Sequence, residues 1–232
     1  MRESKFVVLG AGGVGKTSLV VRFLNDMFCS TYKPTVEDCY QHTIQLPDGI
    51  SHTVEILDTA GSHHFPAMRE LSIRSGRGFL LVYSVDSYQS FREATQLWQL
   101  IRDIRADDDV PVLLVGNKSD LEIHRQVTYD QALKRTKESM DGCCFYEASA
   151  KFNTNVKEVF LTLLQLARDQ EEAQEALLEE QDLFRRKSRR LSKRISRKIN
   201  NTFALKKNDS TTDLSDPVID LKKDLQPKCV IV

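Results

Sequence analysis

Residues Gly10 to Thr17 read GAGGVGKT, and no other stretch of the 232-residue chain narrows the possible folds as far. The segment fits G-x-x-x-x-G-K-[ST], follows the apolar run Phe6 to Leu9 and leads into a helical pattern. Strand, glycine-rich loop and helix in that order turn successive backbone N–H groups and the positive end of a helix toward one anion. Gly10, Ala11, Gly12, Gly13, Val14 and Gly15 then form a phosphate cradle with Ser18 at its edge. Lys16 would reach the β/γ-phosphates and Thr17 would ligate Mg²⁺. Standing alone, the segment would also suit a ligand-free turn.

Three further elements follow it in order. Glu55 to Gly61 reads EILDTAG, a D-x-x-G element that closes an apolar strand. It places Asp58 beside the metal, by way of water, with Thr59 and Ala60 next to the site and the Gly61 amide near a γ-phosphate. The apolar run Val112 to Val115 ends in Gly116-Asn117-Lys118-Ser119-Asp120, and Glu147 to Lys151 reads EASAK after another short strand. Hydrogen-bond counting then selects the base. A carboxylate at Asp120 accepts from two donors, and guanine offers N1–H and a 2-amino group where adenine offers neither. A site built on such a pair rejects the analogue lacking the donors by roughly 10⁴-fold or more. Asn117 and Lys118 would brace the base and the phosphate loop, and Ser149, Ala150 and Lys151 would lie at guanine O6. Phe28 either stacks edgewise on the ring or packs in the core.

Together these residues resemble the Ras family of small GTPases, and the resemblance spans roughly Lys5 to Ala167. It implies GTP and GDP as ligands with Mg²⁺, a monomeric switch, an exchange factor, a GTPase-activating protein and an effector. Tyr32-Lys33-Pro34-Thr35-Val36-Glu37-Asp38 matches the family's first switch, where the Thr35 hydroxyl would bind Mg²⁺ and its amide sense the γ-phosphate. Tyr32, Pro34, Val36, Glu37, Asp38, Cys39 and Tyr40 would meet the effector by edge-strand pairing, with the acids selecting basic partners. Ser62 to Ser75 matches the second switch. GSHHFPAMREL and the terminal KCVIV look most like the Di-Ras and Ras-dva branches.

One departure changes the expected chemistry. Most relatives place Gln after DTAG to orient the attacking water, and here that position is Ser62, too short for the role. Phosphoryl transfer in this class rests on positioning and charge stabilisation, so hydrolysis at Lys16, Thr35, Gly61 and Ser62 is expected at or below the order of 10⁻⁴ s⁻¹ of Ras itself. His63 or His64 would be the substitutes for the missing group. Lys33 also departs from the Asp that some relatives carry.

Periodicity places strands at Lys5 to Leu9, Tyr40 to Leu46, His52 to Leu57, Phe79 to Ser84, Val112 to Val115 and Cys143 to Tyr146. Helices are expected at Lys16 to Asn25, Ser90 to Arg105, Thr128 to Glu138 and Asn155 to Leu166. The fold class is α/β: a six-stranded, mostly parallel sheet with one antiparallel edge strand turned through Pro47-Asp48-Gly49, and helices on both faces. Trp98 is expected to pack. The 41% apolar content supplies one core, and five cysteines at no paired spacing, with no secretory segment, point to a reducing, cytosolic setting.

Residues 1 to 168 form the expected domain, 169 to 207 an acidic-then-basic helical extension, and 208 to 232 a flexible tether. Residues 185 to 207 hold 11 Lys and Arg and no acid, 208 to 232 hold 3 bases and 5 acids, and 1 to 184 hold the remaining 19 bases against 28 acids. The formal net charge of zero therefore conceals a dipolar chain. Leu191, Ile195, Ile199 and Phe203 recur every fourth residue among the cations, which suits an anionic membrane or a calmodulin-like groove, with a nucleic-acid patch as the rival reading. The terminal Cys229-Val230-Ile231-Val232 fits C-a-a-X, whose cysteine is prenylated. Lipid plus basic block makes two anchoring signals, so the cytoplasmic face of the plasma membrane is expected and nucleic acid is not. Ser188, Ser192 and Ser196 among the cations would form an electrostatic switch if phosphorylated.

Overall fold

The computed structural model describes residues 4–31, 33–46, 49–61, 66–106 and 108–207, with side chains described up to 189 and at 192 and 193. Tyr32, Pro47, Asp48, Ser62, His63, His64 and the segment 208–232, which includes Cys229, lie outside the described residues. So do the side chains of Leu191, Ile195, Ile199 and Phe203.

Six strands, β1 (Ser4–Gly10), β2 (Glu37–Gln45), β3 (Ser51–Thr59), β4 (Gly78–Ser84), β5 (Val112–Asn117) and β6 (Cys143–Glu147), form one sheet in the order β2-β3-β1-β4-β5-β6. Every neighbouring pair is parallel except β2 with β3, so the antiparallel strand sits at an edge, as the turn chemistry predicts. The sequence alternates two cores along each central strand, because successive side chains point to opposite faces. Phe6, Val8, Leu80, Val82, Leu113 and Val115 pack with Leu19 and Val20 of α1 (Lys16–Asn25) and with Val159, Phe160 and Leu163 of α5 (Val156–Lys207). Val7, Leu9, Phe79, Leu81 and Leu114 pack on the other face. Their partners are Ile73 of α2 (Pro66–Ser75), Phe91, Ala94, Leu97 and Ile101 of α3 (Tyr88–Ile104), and Ala132 of α4 (Tyr129–Ser139). Trp98 packs against this second core.

The helix starts follow capping chemistry. Ser87 accepts from Ser90 N–H at 3.3 Å ahead of α3, and Thr128 exchanges hydrogen bonds with Gln131 in a capping box ahead of α4. Helix α2 was not marked by periodicity, since it buries only Ser72 and Ile73 and has no apolar stripe to read. Its one local signal is Pro66 at the first helical position. Helix α5 runs from Val156 to Lys207, through the helix expected at Asn155 to Leu166 and the helical extension expected at 169 to 207. The chain divides after Leu177 into two units, the second helical from Leu178 to Lys207. No helix among the described residues is long and apolar enough to cross a membrane.

Candidate functional site

The carboxyl ends of β1, β3, β5 and β6 carry the loops that the motifs occupy, and β1 lies between β3 and β4 where the connections diverge. Doubly wound sheets bind ligands at such a switch point. A cavity of about 690 Å³ opens there, within the range of about 300–1,000 Å³ typical of small-molecule sites.

The loop between β1 and α1 takes its shape from glycine. Gly15 has φ +93°, a left-handed conformation, and a Cβ there would also collide with the Asn117 amide. A Cβ on Gly61 would meet the Gly12 backbone, so the base of the second switch lies directly on the phosphate loop. Lys16 is 5% exposed and donates to the Gly10 and Ala11 carbonyls at 2.9 and 2.8 Å. Burial lowers its ammonium to about 8, against the opposing pull of Asp58 and Glu93. A buried cation held by loop carbonyls beside a helix N-terminus is a site for phosphate oxygens.

Three oxygen groups from distant parts of the chain converge beside it. The Thr17 hydroxyl donates to Asp58 Oδ2 at 2.6 Å and lies 2.8 Å from the Thr35 hydroxyl. Asp58 is fully buried, and its Oδ1 has no partner among the described residues. Burial raises its carboxyl above the ordinary range, while Thr17 and Lys16 pull it down. Hard oxygen donors, with one buried carboxylate oxygen unsatisfied, fit Mg²⁺. Among the described residues no three His, Cys, Asp or Glu side chains form a metal cluster. The candidate set instead draws on two hydroxyls from different loops.

Asn117 is 1% exposed and connects the loops. Its Nδ2 donates to the Val14 carbonyl at 2.8 Å and its Oδ1 accepts from Ala150 N–H at 3.2 Å. Asp120 accepts from the Ser149 hydroxyl at 2.6 Å. Lys118 adopts φ +60° and places its ammonium 3.9 Å from Asp86. Phe28 belongs to the cavity, not to the core: it lines the opening and is 38% exposed.

Of the residues singled out from sequence, Gly12, Gly13, Gly15, Lys16, Thr17, Ser18, Pro34, Thr35, Thr59, Gly61, Asn117, Lys118, Asp120, Ala150 and Lys151 line this cavity. Gly10, Ala11, Val14, Asp58, Ala60 and Ser149 do not; they stand behind it. Val14 is a core residue, and Thr59 also donates to the Val8 carbonyl at 2.7 Å, so part of its role is structural. Gly10 and Ala60 face a smaller cavity of about 200 Å³ shared with Thr35, Val36, Glu37 and α2. The two switches touch where Ala60 N–H donates to the Val36 carbonyl at 3.1 Å and Ser72 to Glu37 at 3.4 Å. In the first switch Val36 is 83% exposed, and Cys39 is exposed too.

Motif reading passed over Arg22, which reaches from α1 to the Ala150 and Lys151 carbonyls. It also passed over Met27 and Cys29 to Thr31, which line the opening on either side of Phe28. Neither has a spacing signature, since both contacts come from chain folding.

Residues 5–169 match the family description "Ras family". The chain is also 46% identical over 169 residues to Ras-like protein 1 of Saccharomyces cerevisiae, a match that covers 73% of this chain and 54% of the relative. The chain thus spans about half the length of that curated relative. A likeness over the whole sheet and all four nucleotide-motif loops places the chain in a family: it belongs to the Ras family.

Proposed function

We propose that this chain is a membrane-anchored guanine-nucleotide switch that binds GTP and GDP with Mg²⁺ and hydrolyses GTP slowly, within the Di-Ras and Ras-dva part of the family. The carrying observation is a single cleft lined both by Lys16, Thr17 and Thr35 and by Asn117, Lys118 and Asp120. The first set matches a polyphosphate and its metal, the second a guanine edge.

In this reading the loop amides and Lys16 hold the β- and γ-phosphates. Thr17 and Thr35 would hold the metal, with Asp58 contributing through water. Mg²⁺, when bound, neutralises charge developing on the phosphate oxygens. Thr35 and the Gly61 amide report the γ-phosphate to the two switches, which share the Ala60 to Val36 hydrogen bond. The exposed outer edge at Val36 to Tyr40 then meets the effector. An exchange factor loads the site, and a GTPase-activating protein supplies what Ser62 cannot. The described residues that line the nucleotide cleft all come from one chain, which supports a monomeric switch. The basic extension and a prenyl group on Cys229 hold the protein at the cytoplasmic face of the plasma membrane.

The test is GDP and ADP affinity followed by single-turnover GTP hydrolysis of the Mg²⁺-loaded protein and its Ser62→Gln variant. The expected outcome is tight GDP binding, negligible ADP binding, wild-type turnover at or below the order of 10⁻⁴ s⁻¹ and faster turnover by the variant. Wild-type turnover several-fold above that order would overturn the assignment of Ser62. A second reading rests on the same serine: if both forms bind GTP tightly and neither hydrolyses it, the chain is a largely GTP-bound effector-binding module.

A further inference from the structure

Arg22 lies six residues past Lys16 on α1, and its side chain is 14% exposed. Its guanidinium donates chiefly to main-chain oxygens. Nε reaches the Ala150 carbonyl at 2.9 Å, Nη2 the Lys151 carbonyl at 3.1 Å, and Nη1 the Asp26 carbonyl at 2.7 Å. Nη1 also lies 3.3 Å from Asp26 Oδ1, which accepts from Asn153 Nδ2 at 2.9 Å. The latch therefore closes on itself: α1 holds the loop through Arg22, and the loop returns to the end of α1 through Asn153 and Asp26.

This arrangement acts on one short piece of backbone. Ala150 is held at its N–H by Asn117 and at its carbonyl by Arg22. A planar fork with fixed N–H directions can hold two successive carbonyls in one orientation, which a flexible ammonium cannot. Six residues of helix span about 9 Å, so α1 is a short rigid strut between the lysine of the phosphate loop and the loop at the base. Among the described residues, no other side chain of α1 is hydrogen-bonded to that loop.

We propose that Arg22 is a positioning residue that fixes the Ala150–Lys151 loop against the base and thereby slows release of the guanine nucleotide. The inference rests on the guanine-nucleotide reading above and assigns a residue that none of the four sequence elements contains. Arg22 touches neither phosphate nor metal in that reading, so its effect falls on base recognition alone.

The test measures release of GDP, inosine diphosphate and 6-thioguanosine diphosphate from the full chain in Mg²⁺, chased by excess GTP, for wild type, Arg22→Ala, Arg22→Lys and Asn153→Ala. Arg22→Ala is expected to release GDP about tenfold faster, the scale of losing a charge-assisted hydrogen bond. Arg22→Lys should resemble Arg22→Ala, because the fork is lost although the charge is kept. Asn153→Ala should give a smaller increase that vanishes in the Arg22→Ala background.

The three nucleotides separate positioning from general loosening. Inosine lacks only the 2-amino group facing Asp120, so the ratio of variant to wild-type rates should match that for GDP. 6-Thioguanine replaces O6 with a poor acceptor, so the ratio should fall toward one. Equal ratios for all three would overturn the proposal, and so would wild-type release rates in both Arg22 variants. Should Arg22→Ala fail to fold, Arg22→Lys and Asn153→Ala carry the same comparison. A wild-type protein that does not retain GDP would overturn the guanine reading itself, an outcome distinct from both.

Discussion

At the start of β6 the Cys143 thiol is pushed up to about 12, chiefly by burial, with Cys144 adding to the rise and a hydrogen bond from the Leu114 backbone opposing it. The sign of its contribution follows from which state holds the proton. In the unfolded chain the thiol ionises near its ordinary value of 9.0, while in the fold it stays neutral up to about 12. Its contribution is fully present below pH 9 and is lost as pH rises from there toward 12. Denaturant melts at pH 7.5 and 10.5 should therefore show a larger loss for wild type than for Cys143→Ala. Equal losses would mean that the thiol is neutral to the pH response. Elsewhere single residues act by linking segments. Asn117 ties the phosphate loop to Ala150, and Asp58 accepts from Thr17 at Oδ2 while its Oδ1 has no partner among the described residues.

At the scale of elements, the segment between β5 and α4 depends on a cluster that no local pattern announces. Arg125 donates to Glu147 at 2.6 and 3.1 Å and to Glu122 at 3.0 and 2.7 Å, which binds this stretch to the end of β6. Helix α4 begins just beyond it at the Thr128 capping box. Thr128→Ala should cost about 1 kcal/mol, with Thr128→Ser close to wild type. For a domain of this size that corresponds to a Tm lower by about 2–4 °C. Circular dichroism melts of the two variants test it, and an unchanged Tm for Thr128→Ala would show that tertiary packing alone holds the start of α4. Helix α2 illustrates the opposite case, an element with a starting proline but almost no buried stripe. It is held by its neighbours at Ile73 and through Ser72, and so periodicity did not find it.

For the whole molecule, the separation of charge along the chain matters more than its zero sum. In the proposed membrane-anchored state the 11 cations of residues 185–207 would attract an anionic surface at about 1 kcal/mol per cation close to the membrane. Each phosphate adds about −1.5 to −2, so three would cancel near half of the block. Replacing Ser188, Ser192 and Ser196 together by Glu is expected to shift prenylated protein from anionic vesicles toward the soluble fraction in flotation assays. Unchanged partitioning would set the electrostatic switch aside.

The sequence by itself determined the alternation of strands and helices, the placing of helices on both faces of the sheet and the identity of the nucleotide-motif loops. These are written in short-range terms: period-two apolar runs, capping residues and glycines at spacings that backbone sterics require. Boundaries came within a few residues for most elements, from Ser4–Gly10 against the expected Lys5 to Leu9 to Tyr129–Ser139 against Thr128 to Glu138. Only the tertiary structure decided which residues meet. Thr17, Thr35 and Asp58 lie up to 41 positions apart, and Arg22 lies 128 from Ala150. Such contacts depend on the order and register of strands whose separation in sequence carries no period, so no local pattern could have named Arg22 as part of the site.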